Sequence, residues 1–236
     1  MAPRALINKI NNVTIFTSPK CSCRSVSDFA WDVAKLTEIK NREKVNIIVF
    51  RNPFNRLISG YLNKYVEHTK YVDEAKRKNP RADLHTFENF LHELSSNGLR
   101  LIDRLHFAPQ ISAYKRRTFD LVFNSEDLKP LQEYINFMFQ TSVEMPFRVN
   151  KYGAKNLVEQ QQRVAVNPLA CDPWKLDSGN LLELIKSKET PIYADFYNPS
   201  LKAMTQEFYR DDFKFLNGCL ERGLIDSSFH ELMTTI

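Results

Sequence analysis

Glycine is scarce in this chain, at 6 in 236 residues, and no stretch approaches the roughly 18 consecutive apolar residues that a membrane-spanning helix needs. The first shortage leaves the turns to Asn, Asp, Ser and 11 prolines. The second, together with the lack of an apolar signal-peptide core in "MAPRALINKI", leads us to expect a cytoplasmic protein, or a soluble catalytic domain separated from a membrane anchor, with no transmembrane segment in this chain. Cysteine is sparse as well: Cys21 and Cys23 are too close for an easy mutual disulfide, Cys171 and Cys219 stand alone, and reduced thiols are the expectation. Nor does one sign of charge dominate. The 33 basic and 28 acidic residues leave +5, which favours an anionic ligand and falls short of a nucleic-acid footprint, so no nucleic-acid partner is expected.

What is present is an ordinary globular composition, 43% hydrophobic and 26% charged, in a length that suits one substantial core. With no internal repeat and no low-complexity linker, the reading is a single domain over residues 1–236. Three β-rich runs, "NVTIF" (12–16), "KVNIIVF" (44–50) and "FDLVF" (119–123), are nearly continuous in apolar character, as buried parallel strands are. Each is followed by a turn and a helical pattern, the alternation of a three-layer α/β domain with a central parallel sheet flanked by helices. After the first run, Val26, Phe29, Ala30, Val33 and Ala34 recur at helical spacing. After the second, Asn52 and Pro53 read as N-cap and first helical residue; after the third, Asn124 or Ser125 reads as the cap. Asn198-Pro199 opens a further helix, and about 70–118 and 145–177 read as helical or loop-rich insertions.

The loop "TSPKCSCRS" (17–25) stands at the carboxyl end of the first strand, where open parallel sheets bind ligands and helix N-termini offer N–H groups and partial positive charge. Lys20 adds a full charge and Ser18, Ser22 and Ser25 add hydroxyls. The loop has no glycine, so it is not the ATP-type G-x-x-x-x-G-K-[ST], and no Ser or Thr follows Lys20 to hold Mg²⁺. Metal-free anion transfer, with no metal required, therefore fits better than a kinase. In "VFRNPFNRLISGYLNKY" (49–65), Arg51 at the strand edge and Ser59 two turns into the helix supply a second anion-binding half, Arg as a bidentate fork and Ser as a single donor.

The pair "TSPKCSCRS" and "RNPFNRLISGY" resembles the two phosphate-binding motifs of sulfotransferases that use 3′-phosphoadenosine-5′-phosphosulfate (PAPS), especially the carbohydrate-sulfotransferase branch. "DRLHFAPQ" (103–110), "FNSEDL" (123–128), "RVNKYG" (148–153) and "EFYRDDFKFL" (207–216) are similar to further segments of that branch, so the resemblance runs from about 12 to 217. It implies the sulfotransferase fold, PAPS as sulfuryl donor with PAP as product, and a hydroxyl-bearing acceptor on a glycan, glycolipid or glycosylated metabolite. It further implies that Lys20 and the backbone of Cys21, Ser22, Cys23, Arg24 and Ser25, with the Ser25 hydroxyl, hold the 5′-phosphosulfate, while Arg51 and Ser59 hold the 3′-phosphate. The cysteine pair that follows the His-Phe-x-Pro-Gln region in secretory members is absent from "ISAYKRRTF", in keeping with a reducing compartment.

In such a reaction Lys20 stabilises charge on the departing oxygen, and His106, oriented by Asp103, is the first candidate for the base; Glu67 and His68 come next. Lys70, Lys76, Arg77, Lys78, Arg81, Arg116 and Arg117 suit an acidic acceptor. For other residues the structural reading leads. Glu126 and Asp127 are expected in the first turn of a helix, Trp31 and Trp174 in the core, and the Phe-rich "FYRDDFKFL" against the sheet. Two other functions stay open at this point: a non-catalytic module binding an anionic nucleotide or polyanion, and a kinase needing ATP and Mg²⁺.

Overall fold

Strands that are apolar on both sides need cover on both sides, and the three runs expected as parallel strands find it. A computed structural model describes residues 6–39, 43–68, 70–100, 102–114, 117–146, 172–187 and 191–225. The "RVNKYG" segment, Arg116, Cys171 and most of the 145–177 insertion lie outside the described residues. The strands are β1 (Leu6–Ile10), β2 (Val13–Thr17), β3 (Val45–Phe50) and β4 (Leu121–Asn124). The helices are α1 (Cys23–Leu36), α2 (Pro53–Tyr61), α3 (Lys70–Lys78), α4 (Phe87–Asn97), α5 (Arg104–Phe107), α6 (Lys129–Phe139), α7 (Ser178–Ser187), α8 (Pro199–Phe208) and α9 (Arg210–Glu221). No helix among the described residues is long and apolar enough to cross a membrane.

The chain groups into two compact units: Met1–Asn52, Pro109–Arg148 and Asp211–Ile236 in one, Pro53–Ala108 and Val149–Arg210 in the other. The first unit holds the sheet, in the order β1-β2-β3-β4. The β2/β3 and β3/β4 pairs are parallel, as expected, with Ile47 opposite both Ile15 and Leu121. Strand β1, absent from the three expected runs, pairs antiparallel with β2 across a two-residue turn. There Asn11 takes φ 52, a left-handed conformation that Asn tolerates.

Alternation along the strands divides the core. Ile15, Ile47, Val49 and Phe123 pack with Val26, Phe29 and Val33 of α1 and with Leu131, Ile135 and Phe139 of α6. The intervening residues Phe16, Ile48, Phe50 and Val122 pack with Tyr114, Phe119, Leu216 and Cys219. The result is a mixed α/β, three-layer arrangement.

The second unit has a helical frame and an aromatic centre. Phe90 lies 5.1 Å from Tyr61, 5.0 Å from Tyr65 and 5.1 Å from Phe107, ring centre to ring centre. Gly60 permits this approach, because a Cβ there would stand 2.7 Å from Cε1 of the buried Phe107 ring. Beyond Tyr61 the chain widens into a π turn, Leu62–Val66, closed by the Glu67 N–H on the Leu62 carbonyl at 3.0 Å.

Several helical expectations need correction. Helix α6 begins at Lys129 rather than after Asn124 or Ser125, because Pro130 has no N–H for the helical ladder and fits only within the first turn. Glu126 therefore lies ahead of the helix, while Asp127 accepts the Lys129 N–H at 3.1 Å. On α1, Ala34 is exposed and Trp31 is 64% exposed, with Lys35 Nζ 4.9 Å from its ring centre; Trp174 is half-buried. Asn198 does cap its helix, accepting the Leu201 N–H at 2.9 Å, but the helix breaks at Tyr209 before α9 carries Leu216 and Cys219 to the sheet.

Candidate active site

The loop after β2 obtains left-handed geometry without glycine. Lys20 has φ 69 and Ser22 has φ 50, each an unfavourable conformation for a residue with a side chain, costing about 1–2 kcal/mol. Between them Cys21 closes a turn, its N–H on the Ser18 carbonyl at 3.1 Å. Ser22 occupies the N-cap position of α1 but makes no side-chain cap; its hydroxyl donates to the Ser125 carbonyl at 2.9 Å. The first turn of α1 contains no acidic residue, and its opening N–H groups precede the first helical bond, from Val26 N–H to Ser22 C=O. This end of the helix carries the positive pole of the helix dipole. Lys20 and Ser25 are half-buried and Arg24 is exposed. Burial pushes the Cys23 thiol up, against the opposing pull of Arg24, the N–H groups of Arg24 and Cys23, and Lys20. Anion-attracting groups thus converge on the start of α1.

Arg51, just past β3, is brought to the same loop. Its Nη1 donates to the Lys20 carbonyl at 3.3 Å and its Nε to Glu126 Oε1 at 3.1 Å, with Glu126 only 5% exposed. The Glu126 carboxylate therefore serves Arg51 and not a helix dipole. Beneath the loop, the buried Gln110 accepts from Cys21 Sγ at 2.7 Å and from the Arg51 N–H at 3.1 Å, and donates to the Arg51 carbonyl at 2.8 Å. Asp212, fully buried, accepts the N–H groups of Gln110 and Ile111, both at 2.9 Å. Neither Gln110 nor Asp212 was assigned a role from sequence. The signal available was their presence in "DRLHFAPQ" and "EFYRDDFKFL".

In the second unit, most of the second motif is committed to packing. Phe54, Leu57, Ile58, Gly60 and Tyr61 are buried, and Arg56, 1% exposed, donates from Nη1 to the Ala108 carbonyl at 3.0 Å. Ser59 is half-buried on α2. His106, in α5, binds Asp103 Oδ2 through Nδ1 at 2.6 Å, and Asp103 Oδ1 accepts the Leu105 N–H at 3.0 Å. Burial works against ionisation of Asp103, but the hydrogen bond and charge of His106, the Leu105 N–H and Lys64 outweigh it and hold the carboxyl below its usual range. An ionised carboxylate only accepts, so Nδ1 carries the proton, and a neutral ring then presents Nε2 as an acceptor. Glu67, the second candidate base, accepts from Asn63 Nδ2 at 2.9 Å. Lys70, Lys76, Arg77 and Lys78 lie on α3; Arg117, in the first unit, stands 5.1 Å over the Phe16 ring.

A lysine, an arginine and an acid-free helix N-terminus gathered at the carboxyl end of parallel strands are the equipment of an enzyme that transfers a group from an anionic donor. The family model described as "Sulfotransferase family" matches residues 12–217, covering both motifs and every strand but β1, and the chain belongs to that family. It is a sulfotransferase, catalysing sulfuryl transfer to an acceptor hydroxyl. No curated protein and no solved structure matches the chain.

Proposed function

We propose that the enzyme takes its sulfuryl group from PAPS and passes it to a hydroxyl of a carbohydrate or glycoconjugate that carries acidic groups. The observation that carries the donor assignment is the loop after β2, where left-handed Lys20 and Ser22 lead into an α1 first turn without a carboxylate and Arg51 stands against the loop. Its donor set of N–H groups and cations suits a phosphosulfate. The acceptor class is supported by resemblance to the carbohydrate branch and by the basic end of α3, Lys76, Arg77 and Lys78.

PAPS supplies an SO₃ unit bonded to a phosphate oxygen. Lys20, the N–H groups from Cys21 to Ser25 and the Ser25 hydroxyl bind that end, and Lys20 stabilises the charge that develops on the oxygen from which sulfur departs. Arg51 and Ser59 bind the 3′-phosphate. His106 Nε2 takes the proton of the attacking hydroxyl while Asp103 holds Nδ1–H. The bond from acceptor oxygen to sulfur forms as the bond from phosphate oxygen to sulfur breaks.

The test is turnover of labelled PAPS with a panel of neutral and acidic glycans, without divalent metal. Label should pass to acidic glycans, and His106→Ala should slow it by about 10²–10⁴-fold. Transfer to simple phenols but to no glycan would overturn the acceptor class, and an unchanged rate in His106→Ala would remove that residue from the chemistry.

A further inference from the structure

The glycine-free loop raises a physical question that the donor assignment leaves open. Two non-glycine residues, Lys20 and Ser22, are held left-handed within three positions, and such backbone persists only where the surroundings over-determine it. Helix α1 restrains the far side of the loop; something must restrain the near side.

We infer that Gln110, itself fixed by Asp212, is a positioning residue that holds the anion loop and Arg51 in binding geometry. A glutamine amide has a carbonyl with two lone pairs and an NH₂ donor, so it can serve a strand end as a second peptide unit would. Oε1 faces the Cys21 thiol at 2.7 Å and the Arg51 N–H at 3.1 Å, and Nε2 faces the Arg51 carbonyl at 2.8 Å. The reversed amide would set NH₂ against an N–H and oxygen against a carbonyl, so the hydrogen bonds fix its orientation. Ser18 joins from the loop, its hydroxyl 3.0 Å from Cys21 Sγ and 3.5 Å from Gln110 Oε1.

One side chain thereby ties the turn after β2 to the backbone after β3, across two neighbouring parallel strands. Its own backbone is held in turn, since the Asp212 carboxylate accepts the N–H groups of Gln110 and Ile111 at 2.9 Å each. Charge-assisted bonds of this kind in a buried setting are among the stronger ones. Segments near 20, 51, 110 and 212 become one network, and two of the family-like segments, "DRLHFAPQ" and "EFYRDDFKFL", acquire a physical reason. Neither Gln110 nor Asp212 needs to touch the donor for this. Their effect is pre-organisation, which spares the loop an ordering cost when the anion binds.

The inference rests on the donor reading, and its test separates the two. Gln110→Met keeps the approximate volume and removes every polar bond; Gln110→Glu keeps the acceptor oxygens, loses the donor to Arg51 and sets a carboxyl beneath an anion loop. Hydrogen exchange of the ligand-free, full-length chain should show residues 18–25 of Gln110→Met exchanging about tenfold faster, with the α4 amides unchanged. PAP should bind both variants about tenfold or more weakly, with acceptor KM unaltered and Gln110→Glu no better than Gln110→Met.

A merely structural glutamine would lower stability and leave PAP affinity of the folded protein untouched. Unchanged exchange in 18–25, or equal PAP affinity in folded variants, overturns the inference. Failure of wild-type protein to bind PAP overturns the donor reading, while the exchange comparison still decides the role of Gln110. Should Gln110→Met not fold, Asp212→Asn, which keeps the side-chain shape, carries the same exchange and binding comparison.

Discussion

The two anion motifs look alike in sequence, each a strand end running through polar and basic residues into a helix, but they are built in opposite ways. In "TSPKCSCRS" the residues from Ser22 to Ser25 are half-buried or exposed, and the buried Ser18 and Cys21 hold the loop from below. In "RNPFNRLISGY" nearly everything after Arg51 is buried, down to the guanidinium of Arg56 and the bare Cα of Gly60. The first motif is an open loop with a small buried support; the second is a packing element in which Arg51, Asn55 and Ser59 alone stay half-buried.

Substitutions can sharpen that contrast. The largest effect expected is Lys20→Ala, which should lower kcat/KM by about 10²–10³-fold while thermal stability hardly moves, as a steady-state assay beside a melting curve will show. Arg56→Met should do the reverse. It leaves the Ala108 carbonyl without its buried donor and costs about 2–3 kcal/mol in urea unfolding, with activity per folded molecule largely kept. Gly60→Ala should cost about 2 kcal/mol through overpacking, because Phe107 is boxed in by Phe90 and Tyr65 and cannot retreat. Were Gly60→Ala to leave stability intact and abolish turnover, the second motif would be chemical after all.

The smallest effect expected is one of pH. Asp103 has a lowered folded value, so its contribution is present above the ordinary carboxylate value of about 3.9 and is lost as pH falls through the folded value. The His106 to Asp103 bond should thus persist across pH 5–8 and disappear only in stronger acid, which the histidine ring NMR signals can follow. Loss of that bond near neutrality would contradict the ionised Asp103.

Much of the sheet was readable in advance because β2, β3 and β4 are buried on both faces, and continuous apolar runs announce that directly. Strand β1 was not, since Leu6–Ile10 is a short, largely exposed edge whose alternation is weak. The start of α6 was misjudged although Pro130 marked it: a proline fits only the opening turn, so Glu126 could not be helical and was available to Arg51. The positions of Lys20 and Arg51 beyond the ends of β2 and β3 were readable because the apolar runs fix where those strands stop. Gln110 and Asp212 were not, because their partners lie 59 to 102 residues away and no local periodicity encodes such contacts. The buried role of Arg56 has no local signal either, its carbonyl partner lying 52 residues on.

The measurement that bears most directly on the central claim is calorimetric titration of PAP, with ADP as comparator, into the wild-type protein, Lys20→Ala and Arg51→Ala, in the absence of divalent metal. A PAPS-dependent enzyme should bind PAP tightly, bind ADP far less well, and lose that preference in Arg51→Ala. Equal binding of the two nucleotides, or binding of neither by correctly folded protein, would contradict the assignment of the loop after β2 as the phosphosulfate site.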